Sequence, residues 1–521
     1  MSRSLAALRA LSRRFGARAA AAKLRLLEQL LRAPPRAAHR LRAPLDFMRA
    51  YPDSAAVRAR VHELLARLPG VVTRSYPYSY GVVQRLVALL PHAVEIDWDA
   101  SPDPTALGET LSMLVTPGEA QGVEDITIPY REWFRRARPE HAPSDIAFFV
   151  ALLEGSGLSR PWQAHVYDRM NLPLRYRGPA STALALDIDA VCYQRASIAR
   201  SRTPIAARIC APLAPPERGS RAIVDLALQA LCARKLEIYP LIHGNADDVH
   251  LVRCARGVTI ALIGVLPEFR SPLETLVFFL VLKNGVPMAY GPAGVFLGCC
   301  EMGINLFPEF RGAEIRFVYT QFMRVLHHVL GVDYFFLTRY GMGEGNDEAI
   351  ASGAFWFYRK LGFTAANPEV EALARLEERR MAARPGYRSD ARMLRRLAHT
   401  EAYLDLSNGR CQPFDFGGLG LAQSQFLARE FDGDRALAEA QCTARIRRWL
   451  GRRVRGTALG GVAPILGMLP DLASFTAAER RALAGLIAAK GARSELPAAR
   501  QFARHERLVL GLRALAQAGR R

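Results

Sequence analysis

Lysine is nearly missing from this chain. Of 70 basic residues only 5 are Lys, and the other 65 are Arg. With so much alanine, that ratio reads as the coding bias of a GC-rich bacterial genome. A nucleic-acid or anionic-membrane surface is the sharper reading of the same excess. Cysteine is also scarce, with 8 in 521 residues. None forms a C-x-x-C pair, so neither a zinc ribbon nor a secreted disulfide framework is expected, and a reducing cytoplasm is the simplest compartment. No apolar run approaches the ~20 residues that cross a bilayer, so no transmembrane segment is expected. The G-x-S-x-G elbow, the phosphate loop ending G-K-[ST] and H-E-x-x-H are all absent, and with them the hydrolase, nucleotidase and zinc-protease readings they would carry.

What is present is a globular composition, 50% hydrophobic and 23% charged, long enough for about three or four domains. The net charge of +21 is concentrated at one end. The first 50 residues hold 12 basic and 2 acidic side chains, and the remaining 471 hold 58 and 47. Residues 1–45 therefore form a basic leader, with the composition of a transit peptide but read as an amphipathic helix or a loose arm. Nucleic acid is a possible partner through it. Pro34, Pro35 and Pro44 interrupt it.

Residues 46–224 read as mainly helical. Val57, Val61, Leu64, Leu65 and Leu68 recur at helical spacing and stop at Pro69-Gly70. Tyr76, Tyr78 and Tyr80 fall in a loop-like stretch that packs onto helices. Residues 369–521 read as helical again, with Thr476 and Glu479 forming a capping box. Gly417-Gly418-Leu419-Gly420 lacks a preceding strand and reads as a flexible turn. His243, Asp247, Asp248 and His250 read as ordinary loop polarity, and no metal site is expected.

Residues 225–368 carry the informative pattern. Val258–Leu266 and Leu276–Leu282 are β-branched and aromatic runs typical of strands. Asn284-Gly285 between apolar stretches signals a hairpin. Further strands are expected at Ala293–Leu297, Cys299–Phe307 and Val332–Leu337. Between the last two comes a helix with Ile315, Val318, Tyr319, Phe322, Leu326 and Val329 on one face, ended by Gly331. A final helix should carry Ile350, Ala354, Phe357 and Leu361 on one face. The expected fold is α/β, with a mixed, mostly antiparallel sheet between helical N- and C-terminal regions.

Two motifs in this order of elements resemble the GNAT superfamily of N-acetyltransferases. One is Ile304-Asn-Leu-Phe-Pro-Glu-Phe-Arg311-Gly312. The other is Ala354-Phe-Trp-Phe-Tyr358-Arg-Lys-Leu-Gly-Phe363. The resemblance covers about a quarter of the chain and implies an acetyltransferase-like sheet. In that family acyl-CoA lies between two splayed parallel strands, its pyrophosphate on the backbone N–H groups of the following helix. The resemblance thus places the coenzyme at Arg311, Gly312, Ala313, Glu314, Ile315 and Arg316. Glu314 and Arg316 stand where the family has small residues, setting a carboxylate at the anion site and a guanidinium beside it. Where the family often has Asn, this chain has Ala351, with Ser352 next to it. Tyr358 matches the position that protonates the departing thiolate. Glu301 is the first candidate base, and Glu344, Asp347 and Glu348 border the same cleft. The implied reaction moves an acyl group from acyl-CoA to an amine on a small molecule or protein. An aminoacyl-tRNA-dependent transferase of the same fold, or a non-catalytic binding scaffold, are the other readings.

Overall fold

The computed structural model describes residues 3–32, 38–125, 128–180, 184–188, 190–196, 203–312, 314–451 and 458–520. It is a mixed α/β protein built on one large sheet, with helical regions before and after it.

The basic leader is a docked helix pair. Helices α1 (Arg3–Ser12) and α2 (Ala17–Arg32) bury Leu5, Leu8, Leu27 and Leu30. They pack against Leu45 and Met48 of α3 (Arg42–Ala50) and Val57, Val61 and Leu64 of α4 (Ala55–Arg67). Lys23 is fully buried, with its Nζ 2.6 Å from Asp53 Oδ2. The leucine spacing revealed the amphipathic face, but only the structure supplies the surface that covers it. The loose-arm expectation is thereby corrected.

The next region is helical but holds a small antiparallel sheet, β1 (Val71–Tyr76), β2 (Val94–Ile96) and β3 (Leu174–Pro179), in the order β1-β3-β2. Tyr76 thus ends a strand where a loop was expected. Tyr78 and Tyr80 are buried in the local core, and Tyr78 Oη donates to Cys232 O at 2.7 Å.

The central sheet comprises β4 (Glu217–Arg218), β5 (Gly244–Arg253), β6 (Val258–Val265), β7 (Thr275–Lys283), β8 (Val286–Phe296), β9 (Cys299–Glu301), β10 (Asn305–Leu306), β11 (Tyr334–Leu337), β12 (Thr364–Ala365) and β13 (Ala402–Asp405). Its order is β12-β13-β11-β9-β8-β7-β6-β5-β4, with β10 also on β8. Strands β6, β7 and β8 are almost wholly buried, which is why they read as continuous apolar runs. Asn284 (φ 48°) and Gly285 (φ 77°) turn β7 into β8 with both central residues left-handed, as the Asn-Gly signal requires.

In this sheet two strands longer than the two-residue β4 and β12 were also not expected. Strand β5 contains His250 and the acidic pair Asp247-Asp248, with a register break between Gly244 and Val249. Strand β13 lies beyond residue 368, yet it inserts between β11 and β12. The sheet therefore draws on the C-terminal region as well. The remaining C-terminal helices enclose a core of their own, around Leu459, Leu466, Leu483 and Leu512. The expected capping box forms, with Glu479 N–H donating to Thr476 Oγ1 at 3.2 Å and Thr476 N–H to Glu479 Oε2 at 2.7 Å.

Candidate functional site

The geometry of interest begins at β9. On one side it pairs antiparallel with β8, Val295 opposite Cys300. On the other it pairs parallel with β11, Tyr334 opposite Cys299 and Phe336 opposite Glu301. Met302 N–H still donates to Phe336 O at 2.7 Å. Beyond it the chain leaves β11 but returns to β8, where Asn305 and Leu306 pair with Tyr290 and Ala289. The single expected strand Cys299–Phe307 is thus two pieces that keep one register on β8, and β10 runs beyond the end of β11 with no strand partner on that side among the described residues. A Cβ placed on Gly303, between the two pieces, would meet nothing within 4 Å.

The chain then makes a short turn, Pro308–Phe310, and reaches Gly312 at φ 77°. Helix α5 (Ile315–Val325) follows, extended by a π-helical turn to Leu330 and stopped by left-handed Gly331. Arg311 and Arg316 are exposed at its start, and Ile315 is half-buried. Arg311 pairs with Glu348 at 2.6 Å. Ala313 lies outside the described residues.

Glu314 departs from expectation. Its carboxylate does not face the anion site but is fully buried, with Oε2 3.2 Å from Lys283 Nζ and Oε1 2.6 Å from an Arg256 nitrogen. The physical reason is Lys283. It is buried at the end of β7, where an ammonium without a counter-ion would be prohibitively costly. It also donates to Arg256 O at 2.5 Å and lies 4.6 Å from the Tyr51 ring centre. Neither Lys283 nor Arg256 was singled out from the sequence.

Arg13 was missed as well. It reaches from the leader to the same loop, donating to the carbonyls of Arg311 and Glu309, the latter at 3.0 Å, above the Phe47 ring. Asp46, on α3, is buried beside Glu309 and Arg234. Burial, with Glu309 adding to it, pushes its carboxyl up to about 7 against the pull of Arg234, Arg49 and Arg42.

The expected last helix is broken. Helix α6 (Asp347–Ser352) ends at Gly353 (φ 69°), and α7 (Ala354–Lys360) starts there. Ser352 is exposed, and its hydroxyl donates to Ala349 O at 3.1 Å. Tyr358 is half-buried, its ring 5.7 Å from that of Tyr319 and 5.8 Å from that of Phe363. Burial raises the phenol above its ordinary value, with Tyr319 opposing, so it holds its proton at neutral pH.

Glu301 is exposed at the end of β9. Strand alternation sets it on the face opposite Cys300, and Cys300 lies beside Tyr319. Glu301 and Tyr358, which packs on Tyr319, therefore lie on opposite faces of the sheet. The other candidate acids are engaged: Glu344 with His399 at 2.7 Å, Asp347 with Arg395 at 3.4 Å, and Glu348 with Arg311.

No family model, no curated protein and no solved structure matches this chain.

Proposed function

We propose that the chain is an N-acyltransferase of the GNAT type, moving an acyl group from acyl-CoA to an amine acceptor. The observation that carries this reading is that β10 continues along β8 with its other edge unpaired among the described residues, just beyond the parallel pairing of β9 with β11. An unpaired strand edge leaves backbone N–H and C=O groups that an extended thioester chain can take up.

The residues present fit such a ligand. Arg311 and Arg316 stand exposed at the start of α5, where unpaired N–H groups and the helix dipole favour phosphate. The charge of Glu314 is compensated internally by Lys283 and Arg256. The thioester would supply an activated acyl carbon. Tyr358 would give its proton to the leaving thiolate, and Glu301, on the other face, would take the proton of the attacking amine. Backbone N–H groups at the strand edge would stabilise the developing oxyanion.

The experiment is calorimetric titration with acetyl-CoA, followed by turnover on a panel of amines. Binding is expected, together with a raised melting temperature. Tyr358→Phe should fold and bind as before, yet turn over roughly 10²-fold more slowly. Absence of binding at millimolar CoA would overturn the reading. It would favour the aminoacyl-tRNA-dependent transferase, which one observation supports: Arg13 brings the basic leader against the loop, so a polyanionic donor would meet both. Binding of CoA without turnover on any acceptor would point to a scaffold.

A further inference from the structure

Eight cysteines are free, and most are simply packed or solvated. Two are set apart by their arrangement. Cys299 opens β9 and is buried; Cys411 is half-buried in the segment that leaves β13. They meet because the rows of the sheet align, with Cys299 opposite Tyr334 and Tyr334 opposite Asp405. The chain turns just past Asp405, where Ser407 N–H and Gly409 N–H both donate to its carboxylate at 2.7 Å. That turn carries Cys411 back over the start of β9. Its sulfur lies 3.0 Å from where a Cβ on Gly298 would stand, immediately before Cys299, so only glycine at 298 lets it in. The two thiols lie close enough to interact with each other, while the Cys299 thiol donates to Leu297 O at 3.8 Å.

We propose that Cys299 and Cys411 are an oxidation site, a thiol pair that hydrogen peroxide closes to a disulfide. The pair is polarised for the reaction. The Ser407 hydroxyl donates to Asp405 Oδ1 at 2.6 Å and accepts from Cys411 N–H at 2.9 Å, which fixes the turn that holds Cys411. The neighbouring Cys299 thiol, with Ser407 adding to it, holds the Cys411 thiol below its ordinary value against burial and the nearby carboxylates of Asp333 and Asp405. Cys299 is raised correspondingly, with Arg513 acting weakly the other way. Cys411, which is half-buried where Cys299 is buried, is therefore the thiol that peroxide reaches, and Cys299 is the resolving thiol.

The chemistry balances. The Cys411 thiolate attacks one peroxide oxygen and the O–O bond breaks; the leaving hydroxide takes up the thiol proton as water, and Cys411 becomes a sulfenic acid. The Cys299 sulfur then attacks the sulfenic sulfur. The S–O bond breaks, the hydroxyl departs with the Cys299 proton as a second water, and the S–S bond forms. Two thiols are oxidised and one peroxide is reduced. Cys300 is not a rival partner, because strand alternation turns its sulfur to the other face, towards Tyr319. None of this depends on the acyltransferase reading.

The test uses the full chain in its native state. It is treated with a small excess of hydrogen peroxide, its remaining thiols are blocked, and it is digested without reductant. The expected result is one cross-linked peptide joining Cys299 to Cys411, loss of two hydrogens in the intact mass, and six blockable thiols where there were eight. Dithiothreitol should reverse all three. Closing a loop of more than a hundred residues should also raise the melting midpoint by several degrees. Cys411→Ser should abolish the cross-link, whereas Cys442→Ser should leave it unchanged. Sulfinic acid on Cys411 without a cross-link, a Cys299–Cys300 link, or oxidation confined to the exposed Cys210 would each overturn the proposal.

Discussion

Strand β7 is held at its two ends by two buried lysines that do different work. At its end, Lys283 meets Glu314 under the loop of the candidate site, and Arg256 reaches the same carboxylate from the surface at 2.6 Å. At its start, Lys490 donates to Glu274 O at 2.9 Å and pairs with Glu495, while Arg270 stands 4.0 Å from that carboxylate. The first pair ties the sheet to the loop and, through Tyr51, to the leader region. The second ties it to the C-terminal helices. In a chain with 5 lysines, three are buried in ion pairs, counting Lys23 with Asp53. Scarcity of lysine is thus no sign that the few present are incidental. The two ends of β7 also differ in redundancy. Glu314 keeps a close second cation if its lysine is lost, but Glu495 keeps only the distant Arg270, with Glu274 and Asp248 nearby to repel it.

That contrast yields the largest expected effects. Lys490→Met should cost about 3–5 kcal/mol, the range for leaving a buried charge unpaired. Lys283→Met should cost less, roughly 2–4 kcal/mol, because Arg256 remains. Urea titrations of the two variants give the order, and a larger loss at Lys283 would reverse the argument. The double variant Lys490→Met with Glu495→Leu should recover most of the stability lost by Lys490→Met alone. Under the acyltransferase proposal, only Lys283→Met should also weaken CoA binding, since Lys490 lies at the other end of the strand.

Little of this wiring is legible in the sequence, for a physical reason. Apolar strands such as β6 and β7 announce themselves because burial on both faces demands an unbroken run. The pairing of Lys283 with Glu314 depends on how the hairpin meets the start of α5, and no local periodicity records that. Strand β5 was missed because its register break falls on Asn245 to Asp248, which look like loop. Strand β13 was missed because four residues among helices give too short a signal. Of the candidate site, Tyr358, Arg311 and Gly312 could be named from motif spacing. Arg13 could not, because its contact with the loop spans nearly 300 residues. The glycines at 417–420 opened a helix (Phe416–Phe431) rather than a turn. A Cβ on Gly418 would fall 2.3 Å from Ala516 O, so the motif serves close packing of two helices.

A smaller effect separates a buried charge that has a close partner from one that lacks it. Asp46 is buried like Glu314, but where Glu314 pairs with Lys283 and Arg256, Asp46 forms no ion pair among the described residues. Its folded-state carboxyl titrates near 7 against 3.8 for the unfolded chain. The folded state therefore binds the extra proton, and stability falls as pH rises from about 4 to 7. The cost is absent below that window and complete above it. Asp46→Asn should stabilise the protein by roughly 1–3 kcal/mol at pH 8 and by nearly nothing at pH 4. Melting curves of both proteins across this range provide the check, and a gain that did not depend on pH would place its origin in packing.

The smallest effect belongs to an ion pair with no burial at all. Arg311 and Glu348 lie 2.6 Å apart with side chains 59% and 71% exposed. Water screens such a pair, and ordering two long side chains offsets what remains, so Glu348→Gln should change stability by less than about 1 kcal/mol. Its value lies in what it does to the loop. Under the acyltransferase proposal, Glu348 competes with the coenzyme phosphates for Arg311, and removing its charge frees the guanidinium. CoA affinity should then rise about two- to fivefold at low ionic strength, and the gain should disappear in molar salt, where the screening length falls to about 3 Å. Arg311→Ala should weaken binding by a similar factor. If neither variant moved the affinity while CoA still bound, Arg311 would not face the phosphates, and the cationic partner at the start of α5 would have to be Arg316.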